Sequence, residues 1–190
     1  MSLKKYSFLR NNKISFKKYS LTPLRKSDIQ TIRKWRNEQI NVLRQETTLS
    51  ADAQLRYYNN IIQKSFYKIK PDIILFSFLY CGKCIGYGGL VHINWKVKSG
   101  EVSFVCDTNR TKSNIIYQKD FSTFLKNIFK IAFDDIHLNK LVSETYNIRS
   151  AHLKILENSG FKQIKIIKNS KNIIDGKIVD SILHERKNLG

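Results

Sequence analysis

Three strand-like runs in the middle of the chain, joined by very short turns, most strongly limit the folds that it can adopt. The runs span residues 73–80, 84–93 and 101–106 and are rich in β-branched and aromatic residues. Only Cys81-Gly82-Lys83 and Lys98-Ser-Gly100 mark the turns between them, and connections this short join neighbouring antiparallel strands. We therefore expect a three-stranded antiparallel meander at the centre of the fold.

Helical periodicity flanks the meander on both sides. Before it, Ser27 and Ser50 are typical first residues of helices, and Ile29, Ile32 and Trp35 recur on one helix face. After it, residues 115–133 and 150–159 have helical spacing, and further strand-like runs span residues 14–21, 140–146, 161–167 and 177–183. The predicted order is β-α-α-β-β-β-α-β-α-β-β. It indicates one mixed α/β (α+β) domain over residues 1–190, with a mostly antiparallel sheet flanked by helices; residues 1–13 form a basic terminus that could be disordered.

The chain is strongly basic, with 34 Lys and Arg against 15 Asp and Glu and a formal net charge of +19. Two explanations stay open: a polyanionic partner such as RNA, or a composition rich in Lys, Ile, Asn and Tyr. The basic residues are spread along the chain, which favours composition, so we do not expect nucleic acid as the partner. A basic surface would still concentrate phosphorylated ligands.

Cysteine usage and hydropathy narrow the class of protein further. Three cysteines cannot all pair, and Cys81-Gly-Lys-Cys84 has no second pair at metal-ligand spacing, so we expect a hairpin turn there and no metal site. No apolar run approaches the roughly 18–20 residues of a membrane span. The first residues lack the apolar stretch of a secretory signal. The sequence therefore predicts a cytoplasmic protein.

Four short strings of the chain occur in a characteristic order. They are Leu21-Thr-Pro-Leu-Arg25 with Trp35-Arg-Asn37, then Gly82-Lys-Cys-Ile-Gly-Tyr-Gly-Gly89, Glu101-Val-Ser-Phe104, and Asn147-Ile-Arg-Ser150 ahead of Gly160-Phe161. Together they resemble the GNAT superfamily of acyl-CoA-dependent N-acetyltransferases, in the branch with ribosomal-protein and amino-sugar-nucleotide acetyltransferases. The resemblance covers about residues 20–183. It implies a GNAT-like sheet, acetyl-CoA as co-substrate and an amine as acceptor.

The loop that would bind the CoA pyrophosphate departs from that family. Where relatives usually carry two glycines, this chain has Arg110-Thr-Lys-Ser113-Asn-Ile115. The N–H groups at a helix N-terminus would still cradle phosphates, and Ser113 is a good cap, but Ile115 is β-branched where little room is expected. We expect acyl-CoA binding that is weakened, altered or lost. The residues predicted to bind the co-substrate are Val105, Arg110, Lys112, Ser113, Asn114 and Asn147.

Acetyl transfer needs a base and benefits from an acid, because a neutral amine must attack and a thiolate must leave. Glu101 is the predicted base, since it begins a strand beside the cleft where the central strands of this family part. His92, on the neighbouring strand, could share or replace that role. Ser150 and Tyr146 are rival acids, although Ser150 equally fits a helix cap and Tyr146 equally fits aromatic packing.

The acceptor is expected near the first helix. Arg36, Asn37 and Arg44 lie in the region that flanks the acceptor pocket in the resembling branch, and an arginine can bind phosphate or carboxylate with two parallel hydrogen bonds. Tyr87 and Trp95 could form a flat wall that stacks on a sugar or base. Gly88-Gly89 inside a strand suggests a bulge or the close approach of a ligand.

These observations predict acetyl transfer from acetyl-CoA to the primary amine of a small, nucleotide-linked substrate, namely an amino-sugar nucleotide. Two alternatives stay open: a protein N-terminus or ribosomal protein as acceptor, and a catalytically degenerate member that serves as a binding module. A homo-oligomer is compatible with the sequence.

Overall fold

A computed structural model describes residues 5–9, 13–172 and 176–188 of the 190-residue chain. The strands are β1 (Ile14–Phe16), β2 (Tyr19–Pro23), β3 (Ile74–Tyr80), β4 (Lys83–Asn94), β5 (Ser99–Cys106), β6 (Lys140–Tyr146), β7 (Lys162–Asn172) and β8 (Ile178–Lys187). The helices are α1 (Ile29–Glu38), α2 (Ala51–Tyr57), α3 (Gln63–Ser65), α4 (Thr108–Thr111), α5 (Asn114–Phe129) and α6 (Ser150–Asn158). The predicted mixed α/β class is confirmed.

All eight strands form one sheet in the order β1-β2-β3-β4-β5-β6-β8-β7. Neighbouring strands are antiparallel except β5 and β6, which are parallel. The predicted meander is therefore present as β3-β4-β5. The predicted first strand is a β1–β2 hairpin, in which Lys17 turns the chain with a φ of 51°. The predicted β7–β8 turn includes Asp175, which lies outside the described residues. No helix in the described part of the chain is long and apolar enough to cross a membrane.

The helices before the meander pack through the faces that their periodicity predicts. Ile29, Ile32 and Trp35 of α1 are all buried. The Ser50 hydroxyl accepts a hydrogen bond from the Ala53 N–H and so caps α2. A π turn at Tyr58–Ile62 joins α2 to α3, which adds a residue to the helical turn. The apolar face of α1 is thus buried in the core, and Tyr58 and Ile62 of the π turn are buried as well, whereas Ile61 is 48% exposed.

Aromatic packing between β5 and α5 forms the centre of the core. The Phe104 ring lies 4.8 Å from that of Phe121 and 4.5 Å from that of Phe124, measured between centroids. At Gly88 on β4, an added Cβ would lie 2.1 Å from the Ser103 carbonyl oxygen and 2.8 Å from the Phe124 ring. Gly88 thus allows β4 to pack closely against β5 and α5. The bulge on the β5 side of β4 lies between Val91 and Asn94.

Part of the basic N-terminal segment packs on this core. Tyr6 is fully buried, its hydroxyl donates to the Leu75 carbonyl at 3.0 Å, and the Leu75 N–H donates back at 2.7 Å. Its ring packs edge to face with Phe66 at 4.9 Å. Residues 5–9 therefore have a defined place in the fold, and residues 1–4 and 10–12 lie outside the described part.

Candidate functional site

The site is built where β5 and β6 part. The two strands pair only from Ser99 to Glu101 on β5, whereas β5 continues to pair with β4 as far as Cys106. Past Glu101, the edge of β5 that faces β6 therefore has no strand partner within the described residues. Because buried backbone N–H and C=O groups are nearly always hydrogen-bonded, this edge suits an extended ligand that carries amide groups.

Two cavities meet at this fork. The first, which we call the fork cavity, has a volume of about 280 Å³ and is lined by residues of β3 to β6, α1 and the segment after it. The second, the helix-end cavity, has a volume of about 390 Å³ and lies between the end of α1 and the starts of α4, α5 and α6. Both are lined by Val42, Arg149 and His152. A long ligand could therefore extend from one cavity into the other.

Glu101 and its neighbours form an ionic cluster in the fork cavity. The Arg44 guanidinium contacts the Glu101 carboxylate through one terminal nitrogen and donates to Glu144 Oε2 at 2.8 Å through the other. His92 Nδ1 lies 3.0 Å from Glu101 Oε2, and the Ser181 hydroxyl donates to Glu144 Oε1 at 2.7 Å. The fork thus places two carboxylates of neighbouring strands on either side of one arginine.

The bulge in β4 explains the position of His92. His92 has a φ of 49°, in the left-handed region, and its side chain is 74% exposed. A bulge turns a side chain away from the regular alternation of a strand. The predicted pair of Glu101 and His92 is therefore brought together, with Glu101 inside the cavity and His92 at its rim.

The two candidate acids lie in different cavities. Tyr146, at the end of β6, lines the fork cavity together with Glu101. Burial raises the pKa of Tyr146, with Arg44 opposing this effect, so the phenol is protonated at neutral pH. Ser150, the first residue of α6, lines the helix-end cavity. The geometry therefore favours Tyr146 over Ser150 as a partner of Glu101.

The predicted acceptor-binding residues divide into two groups. Arg36 and Tyr87 line the fork cavity. Arg36 donates from Nε to Gln45 Oε1 at 2.9 Å, and its terminal nitrogens have no hydrogen-bond partner among the described residues. Asn37 instead holds the chain after α1, through two hydrogen bonds to the Leu49 backbone at 2.8 and 2.9 Å. Trp95 lines neither cavity. Its indole N–H instead donates to the Pro71 carbonyl at 2.9 Å.

The predicted CoA residues lie at the start of α5 and on β5, with two exceptions. Val105 lines the fork cavity and Asn114 lines the helix-end cavity. Ser113 caps α5 by accepting from the Ile116 N–H at 3.4 Å, and the exposed Lys112 immediately precedes it. The Ile115 side chain is 81% exposed, so it does not fill the space at the helix start as expected.

Arg110 and Asn147 are the exceptions. Arg110 is turned towards Asp120, a fully buried carboxylate, with nitrogen–oxygen distances of 2.5 and 2.9 Å. Asp120 also accepts from the Tyr19 hydroxyl at 2.7 Å. Arg110 therefore neutralises a core carboxylate and lines neither cavity. Asn147 is exposed in the turn after β6, where its backbone N–H donates to the Asp180 carbonyl at 2.9 Å.

Sequence reasoning missed Glu144 of the ionic cluster and three residues shared by or next to the two cavities, namely Tyr117, Arg149 and His152. Tyr117 and His152 lie close together, with 2.7 Å between the phenolic oxygen and Nδ1, and Arg149 donates to the same oxygen at 3.0 Å. Burial raises the pKa of Tyr117 to about 12. The same cause lowers the pKa of His152 well below 6.5, with Arg149 adding to the effect. The Tyr117–His152 spacing of 35 residues gives no local signal. Their meeting depends on how α5 and α6 pack. Among the described residues, no group of three potential ligands could hold a metal ion.

The comparisons with known proteins agree with this architecture. A family model described as "Acetyltransferase (GNAT) domain" matches residues 21–183, and no curated protein matches the chain significantly. A structure of spermidine N-acetyltransferase from Vibrio cholerae, in complex with CoA and spermine, is similar with a TM-score of 0.77 and 18% identity, over 90% of this chain and 96% of that chain.

Two further solved structures show the same likeness. A dodecameric structure of the Vibrio cholerae spermidine N-acetyltransferase has a TM-score of 0.74 and 18% identity, over 90% of this chain and 95% of that chain. A structure described as a probable acetyltransferase has a TM-score of 0.73 and 12% identity, over 93% and 97% of the two chains. At these identities the likeness establishes a common fold.

Proposed function

The chain belongs to the GNAT family of acetyltransferases, and from that premise we propose that its acceptor is the primary amine of a small anionic molecule, an amino-sugar nucleotide. The enzyme is an acyl-CoA-dependent N-acetyltransferase, and acetyl-CoA is its co-substrate. One observation carries the proposal about the acceptor. The fork cavity combines Glu101 and Tyr146 with Arg36, an arginine whose terminal nitrogens are unpartnered among the described residues.

The residues present fit acetyl-CoA, which supplies the acetyl thioester. The open edge of β5 after Glu101 offers backbone hydrogen bonds to the amides of the pantetheine arm. The start of α5, a 16-residue helix, offers free N–H groups and the positive end of the helix dipole to the phosphates. Lys112 adds a cation next to that helix end.

Glu101 and Tyr146 supply the proton transfers. Glu101 accepts the proton that the acceptor ammonium must lose, so that the neutral nitrogen can attack the thioester carbonyl. As the new C–N bond forms and the C–S bond breaks, Tyr146 donates its phenolic proton to the departing thiolate, and the proton that the nitrogen loses in becoming an amide restores the phenol. Because its pKa is raised, the Tyr146 phenol is protonated at neutral pH and its proton is available to the thiolate.

Arg36 selects the acceptor in this account. Arg44 is already neutralised by Glu101 and Glu144, whereas Arg36 uses only its Nε, in a hydrogen bond to Gln45. A guanidinium in a cavity binds phosphate or carboxylate with two hydrogen bonds. Tyr87, which is buried in the same wall, offers a ring face for a sugar or base.

A polyamine is the second candidate, favoured by the two carboxylates in the fork cavity and by the named substrate of the Vibrio cholerae enzyme. Against it stand Arg36 and Arg149, which line the same cavity and form no ion pair with a carboxylate among the described residues. Like charges in a partly desolvated cavity repel strongly. A polycation would bring several positive charges close to these two guanidinium groups, whereas the proposed acceptor brings one ammonium together with an anionic group that Arg36 can bind.

The experiment compares Arg36→Met with Lys34→Met, a matched change at an exposed position of the same helix. We expect Arg36→Met to raise the KM for a nucleotide-linked amino sugar about tenfold or more, with kcat little changed, because it removes binding shared by ground state and transition state. Lys34→Met should match the wild type. An unchanged KM in Arg36→Met, or a lower KM for spermidine than for the amino sugar in the wild type, would overturn the anionic acceptor.

A further inference from the structure

Lys171, on the edge strand β7, forms hydrogen bonds with the segment that follows α1. Its ammonium donates to three backbone carbonyls, those of Ile40, Leu43 and Gln45, at 2.7, 2.7 and 2.8 Å. An ammonium has three N–H donors, so these carbonyls use all of them. The contact joins residues more than 120 positions apart, and the sequence gives no sign of it.

A bulge in β7 aims Lys171 at this segment. The register between β7 and β8 shifts between Ile167 and Lys171, and Asn169 has a φ of 53°. The Ser170 hydroxyl donates to the Ile167 carbonyl at 2.7 Å and accepts from the Ser181 N–H at 3.0 Å. Hydrogen bonds on both sides thus fix the bulge. A bulge redirects the side chains that follow it.

The segment that Lys171 holds, residues 40–45, forms part of the wall of the fork cavity. Val42, Leu43 and Arg44 all line that cavity, and Arg44 reaches the carboxylate of Glu101 from it. The segment has only a 3-10 turn at Ile40–Val42 as regular structure. The Ile40 carbonyl also accepts from the Leu43 N–H at 3.4 Å, and Lys171 adds three hydrogen bonds to the carbonyls of the segment at once.

Lys171 also contacts the other half of the reaction centre. Its nitrogen lies 5.6 Å from the centre of the Tyr146 ring, within the range of a cation–π contact. One ammonium thus bridges the segment that carries Arg44 and the candidate acid. Burial lowers the pKa of Lys171, with Glu46 opposing this effect.

We propose that Lys171 is a positioning residue for acetyl transfer: its ammonium fixes residues 40–45 as a wall of the fork cavity and so sets Arg44 against Glu101. This rests on the proposed function, because the cavity is taken as the acceptor site. Lys171 touches neither Glu101 nor the acceptor position directly, so its effect passes through the wall. Its loss should disturb acceptor binding more than co-substrate binding.

The first test measures the wall itself and needs no acceptor. Amide hydrogen exchange of peptides that cover residues 40–45 is compared among the wild type, Lys171→Met, Lys171→Arg and the control Lys168→Met. Lys168 is on the same strand, 74% exposed, and pairs with Asp180 on the surface. We expect exchange in that segment to rise about tenfold in Lys171→Met, to rise less in Lys171→Arg, and to stay unchanged in Lys168→Met. Unchanged exchange in Lys171→Met overturns the proposal.

The second test separates positioning from general stability. With a nucleotide-linked amino sugar as the probe, Lys171→Met should raise the KM for the acceptor about tenfold, because small displacements of a binding wall are costly. The dissociation constant of acetyl-CoA, measured by calorimetry, should stay within about twofold. Equal losses in both, or loss of folding that Lys171→Arg does not rescue, would show a merely structural role. A wild type that binds acetyl-CoA but acetylates no amine would contradict the proposed function. In that case hydrogen exchange in residues 40–45 would still test whether Lys171 fixes this segment.

Discussion

Glu101 is held by two partners that constrain what it can do. Arg44 contacts one of its oxygens, and His92 lies 3.0 Å from the other. The Arg44 guanidinium therefore occupies a carboxylate oxygen that an acceptor ammonium would otherwise contact. His92, at the exposed rim, can pass a proton from Glu101 to solvent. An acceptor ammonium therefore meets a carboxylate that already has a partner on each oxygen.

Replacing Glu101 by Gln should lower kcat by about 10²–10⁴, because the amide cannot accept the ammonium proton. Steady-state release of free thiol measures this loss. His92→Gln tests separately whether the rim histidine shares this role, and we expect it to have a smaller effect. A Glu101→Gln enzyme within a few-fold of wild type at all pH values would remove Glu101 from the mechanism.

Asp120 is the residue on which the region around Arg110 depends for stability. It is fully buried and receives Arg110 and the Tyr19 hydroxyl. Asp120→Asn should lower the free energy of unfolding by about 3 kcal/mol, because it leaves a partly buried guanidinium without its counter-charge. Denaturant titration measures this. Asp72→Asn, which breaks the exposed pair with Lys68, should change little; an equally small effect at Asp120 would contradict this account.

Sequence reasoning at single residues succeeded where the partner is near in the chain. Ser50 as a helix cap needs only its own helix. Arg110 and Trp95 were assigned to ligands because the sequence does not show that Asp120 and the Pro71 carbonyl are their partners. Such partners are set by how helices and turns pack on the sheet, which local patterns do not contain.

At the scale of elements, periodicity predicted the strands and helices but not how two of them separate. The order of elements and the end of α6 just before Gly160, which has a φ of 87°, follow from local patterns. The fork does not, because the parallel pairing of β5 and β6 covers only three residues of each strand. Its location came from the family resemblance. No local sequence pattern predicted the positions of the two bulges, at His92 and before Lys171.

The contact of α6 with the sheet should depend on pH through two buried histidines. Burial lowers the pKa values of His152 and His184 below 6.5, although Glu157, whose Oε1 lies 3.9 Å from His184 Nε2, opposes this effect at His184. The unfolded chain therefore binds more protons than the folded chain below pH ~6.5, so stability is lost as the pH falls through that value.

We expect the midpoint of thermal unfolding to fall between about pH 7.5 and pH 5.5, the interval that spans the unperturbed histidine pKa. His184→Leu should flatten this dependence, because it removes one of the two groups. Differential scanning calorimetry at several pH values measures the slope. An equal slope in wild type and His184→Leu would contradict the role given to His184.

At the scale of the whole molecule, the net charge of +19 changes the rate at which a charged acceptor associates with the enzyme. A basic surface attracts anions over long range, and salt screens that attraction. For a nucleotide-linked amino sugar, kcat/KM should fall several-fold between low and high ionic strength. For spermidine it should rise or stay constant, since salt relieves repulsion. The opposite pattern, measured by initial rates across a salt series, would indicate a cationic acceptor.

The central claim is that the fork cavity transfers an acetyl group to the amine of an anionic small molecule. The most direct measurement incubates the wild-type enzyme with acetyl-CoA and, separately, a nucleotide-linked 4-amino sugar, spermidine and a peptide amine, and follows the acetylated acceptor by mass spectrometry together with free thiol. We predict equal amounts of thiol and acetylated amino sugar, and far less of the other two products. Preferential acetylation of spermidine or the peptide would contradict the account.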